Sequence, residues 1–357
     1  MTVSIKDIAR AAAVSHSTVS RALGDSPLVS AETKARIQRL AQEMGYSPDA
    51  QARSLVMGRT LTIGLVVTTI TDPFIAEIVQ AVETTAHERG YSVILATFSS
   101  RREREIAAVE MLQSKRVDAV IVTSSRVGAH YLAHIERLSV PVVLINSHSA
   151  HTGPYTFAVN VDNRHGACVA TTHLTDLGHV RIAYVTGAAD HSDDQERLAG
   201  YRDALQHAGL PFDPALVVAG TGRAGGGERA LPRLLAVQPP PTAVFCYNDL
   251  TAIGLMRAAQ HTGIAVPREL AVVGFDDIPF ASYIDPPLTT VAQPTREMGR
   301  QAVEMALVLL ESGREPASDL SNVVLQGELV VRESSGARPH RVQPDGQSSV
   351  SNTQERR

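Results

Sequence analysis

The run Ile5-Lys6-Asp7-Ile8-Ala9-Arg10-Ala11-Ala12-Ala13-Val14-Ser15-His16-Ser17-Thr18-Val19-Ser20-Arg21-Ala22-Leu23 constrains this chain more than any other stretch. Ile5, Ile8, Ala9 and Ala12 recur at helical spacing, and Val14-Ser15 breaks the pattern. Val19, Ala22 and Leu23 then begin a second apolar stripe. Ser4 lies three residues before Asp7 and Ser15 three before Thr18, so each stretch opens with a side chain able to cap a helix N-terminus. Two short capped helices joined by a tight turn form a helix-turn-helix, whose second helix can enter the DNA major groove. Its outward positions, His16, Ser17, Ser20 and Arg21, can all hydrogen-bond bases or phosphates. A helix pair of this kind also serves as a plain structural corner, so the residues that follow carry weight.

Residues 30–44 give a third amphipathic helix: Ile37, Leu40, Ala41 and Met44 share one face, Ser30 is the cap and Gly45 the stop. Ser47-Pro48 places a cap before a proline at the first helical position and predicts a fourth short helix from Asp49 to Met57, ended by Gly58. Three helices closing a small core over the turn favour DNA binding over the structural corner.

Several short motifs in this region occur together in order. Ile5-Lys6-Asp7-Ile8-Ala9, Val14-Ser15, Thr18-Val19-Ser20-Arg21, Val29-Ser30, Gly45-Tyr46-Ser47-Pro48 and Ala52-Arg53-Ser54-Leu55 make residues 4–59 resemble the headpiece and hinge of the LacI/GalR family of bacterial transcriptional regulators. The resemblance implies that His16, Ser17 and Arg21 read base edges. It also implies DNA contacts from Ser4, Lys6, Ser15, Thr18, Ser20, Ser30 and Arg53. Leu55 on the hinge helix would wedge into the minor groove and kink the operator centre, since an apolar side chain on an isolated helix finds cover in an unstacked base step. Packing against a dimer mate is the other role open to it.

Charge is divided along the chain. The net is −4 over 357 residues, yet residues 1–60 hold eight Lys/Arg against five Asp/Glu and the remainder 25 against 32. A weakly basic head on an acidic body keeps DNA contact local. Cys168 and Cys246 are far apart, have no metal-ligand spacing and are expected as buried free thiols in a reducing cytosol. No secretory signal is recognised before Thr2 and no apolar run is long enough to span a membrane, so a cytoplasmic protein is expected. No cofactor or metal is expected.

From residue 61 short β-rich runs alternate with helix-length segments. Strands are predicted at 61–67, 92–96, 118–122, 142–145, 181–185, 243–247 and 271–275. Such alternation implies a parallel sheet covered on both faces, and roughly ten strands are too many for one open sheet, so two α/β lobes are inferred. Ligands in such sheets bind beyond the carboxyl ends of the strands. Residues 61–335 resemble the periplasmic-binding-protein-like (type I) sensor domain of the same family, through Asp72-Pro73-Phe74, Arg197-Leu198-Ala199-Gly200-Tyr201, Asn248-Asp249, Val272-Val273-Gly274-Phe275-Asp276-Asp277 and Pro286-Pro287-Leu288-Thr289. By that resemblance Asp72, Phe74, His191, Asp193, Arg197, Asn248 and Asp276 line an effector cleft, with Asp162 a further candidate. Asp249 reads as a helix cap or first-turn residue instead.

The expected architecture is therefore α/β: a helix-turn-helix headpiece over 1–46, a hinge helix and linker over 47–60, a two-lobed effector-binding and dimerisation domain over 61–335, and a disordered tail over 336–357. Ile75 and Gly222 stand where several members carry further aromatics, so stacking area is lost there. The acidic loop Asp190, Asp193, Asp194 and Glu196 disfavours a phosphorylated or carboxylated effector and suits a sugar, another neutral polyol or a cation. The leucine-heptad tail that some members use to tetramerise is missing, so a homodimer on a palindromic DNA operator is expected. Gly225-Gly226-Gly227 lacks the Lys-Ser/Thr of a phosphate loop and is expected to form a tight turn, and Arg101 to Glu105 the solvated start of a helix. A transporter's solute-binding protein shares the body fold but has no use for the helix-turn-helix. No nucleophile elbow, phosphate loop or metal cluster points to an enzyme.

Overall fold

The computed structural model describes residues 3–46, 58–99, 101–124, 140–147, 156–188, 192–312 and 322–336. The expected hinge helix with Arg53 and Leu55, the loop residue His191 and the tail beyond Gly336 lie outside the described residues. The chain divides into two compact units, Met1–Leu61 and Thr62–Arg357.

Among its described residues the first unit has three helices, α1 (Ile5–Ala11), α2 (His16–Leu23) and α3 (Ala31–Glu43). Each start is fixed locally. Ser15 Oγ accepts from the Thr18 N–H at 3.1 Å and Ser30 Oγ from the Thr33 N–H at 3.3 Å. At α1 the Ser4 N–H and hydroxyl both donate to Asp7 Oδ2, at 3.0 and 2.6 Å. Gly45, at φ +67°, ends α3 in a left-handed conformation that costs glycine nothing. Ile8, Val19, Ala22 and Ile37 are fully buried, with Ala9, Ala12 and Ala41 beside them. These alanines let three short helices approach closely enough to exclude water from the two isoleucines.

Among its described residues the second unit holds two six-stranded sheets. The first comprises β1 (Thr62–Val67), β2 (Ser92–Thr97), β3 (Ala119–Thr123), β4 (Val142–Ile145), β5 (Thr156–Val161) and β11 (Val323–Leu325), in the order β11-β5-β4-β3-β1-β2 and parallel throughout. The second comprises β6 (Ile182–Val185), β7 (Val217–Val218), β8 (Ala243–Cys246), β9 (Ala271–Asp276), β10 (Thr289–Ala292) and β12 (Glu328–Val330), in the order β12-β10-β9-β8-β6-β7. Among the described strands only the β10–β12 pairing is antiparallel. Strands β3, β4, β8 and β9 are buried at every position, as a sheet with helices on both faces requires.

Among the described residues seven helices cover these sheets: α4 (Pro73–Glu88), α5 (Arg102–Ser114), α6 (Asn163–Asp176), α7 (Ser192–His207), α8 (Ala224–Leu235), α9 (Asp249–Thr262) and α10 (Thr295–Ser312). Helix α10 follows the second sheet yet packs on α4 and on β3, β4 and β5 of the first. The chain therefore passes between the lobes three times: at Asp162, at Gln293-Pro294 and at Gln326-Gly327. These passages touch one another. The Asp162 N–H donates to the Leu325 carbonyl at 2.8 Å, and a Cβ on Gly327 would lie 2.9 Å from the Ala292 carbonyl oxygen. The three crossings thus adjoin one another beside the cleft, where Gln293 lines the cavity.

Three expectations need correction. Gly225, Gly226 and Gly227 are not a turn but the first turns of α8. A Cβ on Gly227 would come within 1.9 Å of the Thr251 carbonyl oxygen, and one on Gly254 within 1.9 Å of the Ala224 oxygen, so these glycines let α8 and α9 pack backbone to backbone. Helix α5 does start near Arg101, but Glu105 points inward and is fully buried. Both cysteines are free, although Cys168 is only half-buried.

Candidate functional site

On the headpiece, Val19 and Ala22 are buried while His16, Ser17, Ser20 and Arg21 are exposed on the other side of α2. Ser4, Lys6, Ser15 and Ser30 are also exposed, and Thr18 is half-buried. Ser15 is committed to its helix: its hydroxyl lies 2.7 Å from Ser17 Oγ and 2.8 Å from Thr18 Oγ1. The free N-terminal amides of α2 and its unburied polar face suit a phosphate-rich partner.

In the second unit, residues beyond the carboxyl ends of strands in both sheets converge on one cavity of about 160 Å³. The first lobe contributes Thr68, Asp72, Phe74, Ile75, Ser124 and Asn146; the second contributes Ala188, Asp193, Arg197, Thr221, Gly222, Arg223, Tyr247, Asn248 and Asp276; Gln293 comes from a crossing. The sequence-predicted residues Asp72, Phe74, Asp193, Arg197, Asn248 and Asp276 are thus brought together. Asp162 is not among the lining residues, because its side chain caps α6 by accepting from the His165 N–H at 2.8 Å.

Arg197 is the centre of the second-lobe wall. It is buried on α7, its Nε donates to Asn163 Oδ1 at 2.8 Å, and its Nη1 donates to the Tyr247 carbonyl. The guanidinium lies over the Phe275 ring at 3.7 Å and the Tyr247 ring at 4.6 Å from their centroids. Burial works against its charge, and Tyr247, Asp276 and Asp193 outweigh burial. Asp276 is 3.9 Å away, at the end of β9, with φ at +121°. Burial drives its carboxyl well above the usual range; Arg197 opposes this, while Asp249 and Asp72 add to it. Gln293 Nε2 donates to Asp276 Oδ1 at 2.7 Å, and Asn146 Nδ2 reaches Gln293 Oε1 at 3.4 Å. The buried Oδ1 of Asn146 has no hydrogen-bond partner among the described residues.

Two lining residues have local duties as well. Asn248 caps α9, its Oδ1 accepting from the Thr251 N–H at 3.0 Å and hydroxyl at 2.7 Å, while its Nδ2 donates to the Gly222 carbonyl at 3.1 Å. Asp72 caps α4 through the Phe74 N–H at 3.2 Å and accepts from Arg223 Nη1 at 3.0 Å. Burial raises its carboxyl above the usual range and Arg223 counteracts that.

Sequence reasoning missed Arg223, Tyr247, Gln293 and Asn146. Tyr247 had a signal, standing next to Asn248-Asp249. A Cβ on Gly187 would lie 3.0 Å from the Tyr247 ring, and one on Gly222 3.4 Å, so this tyrosine supplies a ring beside Gly222, where the sequence implies that stacking area is lost.

Residues 4–49 match the profile described as bacterial regulatory proteins, lacI family, and residues 171–335 that of a periplasmic binding protein-like domain. The chain is 34% identical over 333 residues to the HTH-type transcriptional repressor PurR of Aliivibrio fischeri, spanning 92% of this chain and 97% of that one. The chain belongs to the LacI family of bacterial regulatory proteins. Among solved structures of LacI-type proteins, the lac repressor dimer bound to operator and the anti-inducer ONPF superposes with a TM-score of 0.84 at 28% identity, covering 94% of this chain and 100% of that one. The regulator CelR in complex with cellobiose gives 0.70 at 32% identity, covering 93% and 99%. This chain is a DNA-binding transcriptional regulator and not an enzyme. Among the described residues no helix is long and apolar enough to cross a membrane.

Proposed function

We propose that this chain is a homodimeric repressor that reads a palindromic operator with α2 and releases or grips it according to a small neutral polyhydroxylated effector held in the cleft. The observation that carries the reading is the cleft itself. It is lined by three acids, Asp72, Asp193 and Asp276, against two guanidiniums, and each guanidinium already lies within 4 Å of one of those acids. An anionic ligand would meet three acids with no free cation among the described lining residues, whereas hydroxyls can donate to Asp72 or to the unpartnered Asn146 Oδ1. Phe74 and Tyr247 offer ring surface to the C–H face of a sugar. The cellobiose in CelR accords with this class.

The dimer has support in the second lobe, where Phe280 is 55% and Tyr283 83% exposed on neighbouring turns. Large aromatics left uncovered mark an association surface, and a two-fold dimer matches a two-fold operator. Effector and operator would then be linked by one coupling free energy, each altering the other's affinity by the same factor.

Two measurements test this. Selection of bound duplexes from a random pool by the full chain should enrich an inverted repeat; a direct repeat or no enrichment counts against the two-fold reader. Thermal shift against a panel of sugars, polyols, sugar phosphates and nucleobases should give stabilisation by a neutral polyol, and stabilisation by a phosphorylated compound or a base alone would overturn the effector class. At a hundredfold excess over the dissociation constant the ligand should add about 2.7 kcal/mol.

A further inference from the structure

Asp72 and Arg223 face each other across the cleft from different lobes. Asp72 starts α4, which packs on the first sheet, and Arg223 precedes α8, which packs against β6, β7 and α9 of the second. Neither residue is at a crossing, so no short backbone link holds them together. Their side chains nonetheless meet at 3.0 Å, with the Asp72 carboxylate 16% and the guanidinium 48% exposed. We infer that the Asp72–Arg223 ion pair is a latch that holds the two lobes together at the cleft mouth, and that Arg223 selects effectors able to take over the pairing.

The local geometry gives each partner freedom to do this. Asp72 divides its two oxygens: Oδ1 caps α4 through the Phe74 N–H, and Oδ2 takes the Arg223 hydrogen bond. The helix cap therefore survives when the latch opens. Arg223 occupies the N-cap position of α8 without making a side-chain cap hydrogen bond, so its guanidinium is not needed to start that helix. Gly222, at φ +67°, has no side chain, so nothing on that residue stands between the guanidinium and the cavity.

A group that replaces this pair must donate to a carboxylate and accept from a guanidinium at points no farther apart than the two side chains. Two hydroxyls on adjacent carbons satisfy both demands, whereas a lone hydroxyl or a hydrocarbon leaves one charge without its partner. This last step rests on the neutral-polyol reading above; the latch does not.

Hydrogen exchange on the full-length, effector-free protein tests the latch, followed at residues 74–76 in one lobe and 221–226 in the other. Asp72→Asn keeps an oxygen for the Phe74 N–H and loses the charge; Arg223→Gln loses the charge from the other side. Each should speed exchange in both segments by about two- to five-fold, the range expected for a partly exposed ion pair. The double variant should exchange no faster than either single one, because both act through one contact. Arg223→Lys, which keeps the charge, should stay near the parent. Unchanged exchange in the single variants, additive effects in the double variant, or an Arg223→Lys protein as open as Arg223→Gln would overturn the latch. Selection is tested by calorimetry with a vicinal diol sugar that stabilises the parent and its monodeoxy analogue: Arg223→Gln should shrink the preference between them at least several-fold, and an unchanged preference removes Arg223 as a selector. If no sugar stabilises the parent, the effector reading and the selector role built on it both fall, and the exchange result still stands.

Discussion

The Arg197 guanidinium sits 3.7 Å from the centroid of the Phe275 ring, closer than its Nη1 comes to Asp276 Oδ1 at 3.9 Å. The cation is therefore held by ring faces, the Asn163 amide oxygen and the Tyr247 carbonyl before any carboxylate. A planar fork can stack and donate in this way, and a point charge cannot. The arrangement joins α6, α7, β8 and β9, so one side chain ties the second-lobe wall together.

Arg197→Lys should accordingly be far from conservative. It should lose the effector response and lower stability, by on the order of 3 kcal/mol where the lost fork leaves buried acceptors unmatched. Operator binding without effector should change little, because the headpiece is a separate compact unit. Urea unfolding and anisotropy with a selected operator duplex measure both. A full effector response in the lysine variant would remove Arg197 from the site.

Arg21 is exposed in the last turn of α2, so Arg21→Ala should leave the headpiece folded. Operator affinity should fall by about 1–3 kcal/mol. Circular dichroism establishes the fold and anisotropy at fixed salt the affinity. Equal affinities would place Arg21 outside the reading set.

The headpiece was legible because everything that makes it is local: caps three residues ahead of their acceptors, and apolar positions at helical spacing. The two sheets were legible through alternation only in part: β5 and β10 were not placed, and β7, β11 and β12, at two or three residues each, are too short to show a period. The cleft was half legible. Asp72, Arg197 and Asp276 sit in motifs that a family resemblance can carry. Arg223 and Gln293 do not; their partners Asp72 and Asp276 are 151 and 17 residues away, and only the folded lobes bring them together. Gly225 to Gly227 misled because a glycine run looks the same whether it bends the chain or clears room for another helix. That distinction depends on Thr251, far along the sequence.

Gly227→Ala separates those two roles. Helix propensity alone favours alanine by about 1 kcal/mol. The contact argues the opposite, since the new methyl would lie 1.9 Å from a backbone oxygen and 2.7 Å from the Leu255 nitrogen, neither of which can swing aside. Overpacking of this kind costs about 1–3 kcal/mol or more. Urea unfolding should show a destabilised variant; a stabilised one would mean that α8 and α9 can separate at no cost.

Asp249 makes stability depend on pH in a defined direction. It is fully buried at the start of α9, with Oδ1 accepting from the Thr290 hydroxyl at 2.5 Å and Oδ2 from the Ile278 N–H at 2.9 Å. Burial raises its pKa from the ordinary 3.8 to about 7, against the two hydrogen bonds; Asp277 adds to the rise and Arg332 opposes it. The native protein therefore keeps a proton that the unfolded chain releases near pH 4. A state that binds more protons is disfavoured as pH rises, so this group removes stability between about pH 4 and 7 and adds no further slope above its folded pKa. The slope from one proton is at most about 1.4 kcal/mol per pH unit. Asp276, also raised by burial, contributes in the same sense, so the parent's curve alone does not isolate Asp249. Asp249→Asn does: the amide keeps an oxygen for the Ile278 N–H but has no proton to lose. Unfolding free energies at pH 5, 6, 7 and 8 should show the variant gaining on the parent as pH climbs to 7, then running parallel to it. Curves parallel over the whole range would mean that Asp249 is already ionised in the folded protein at pH 5.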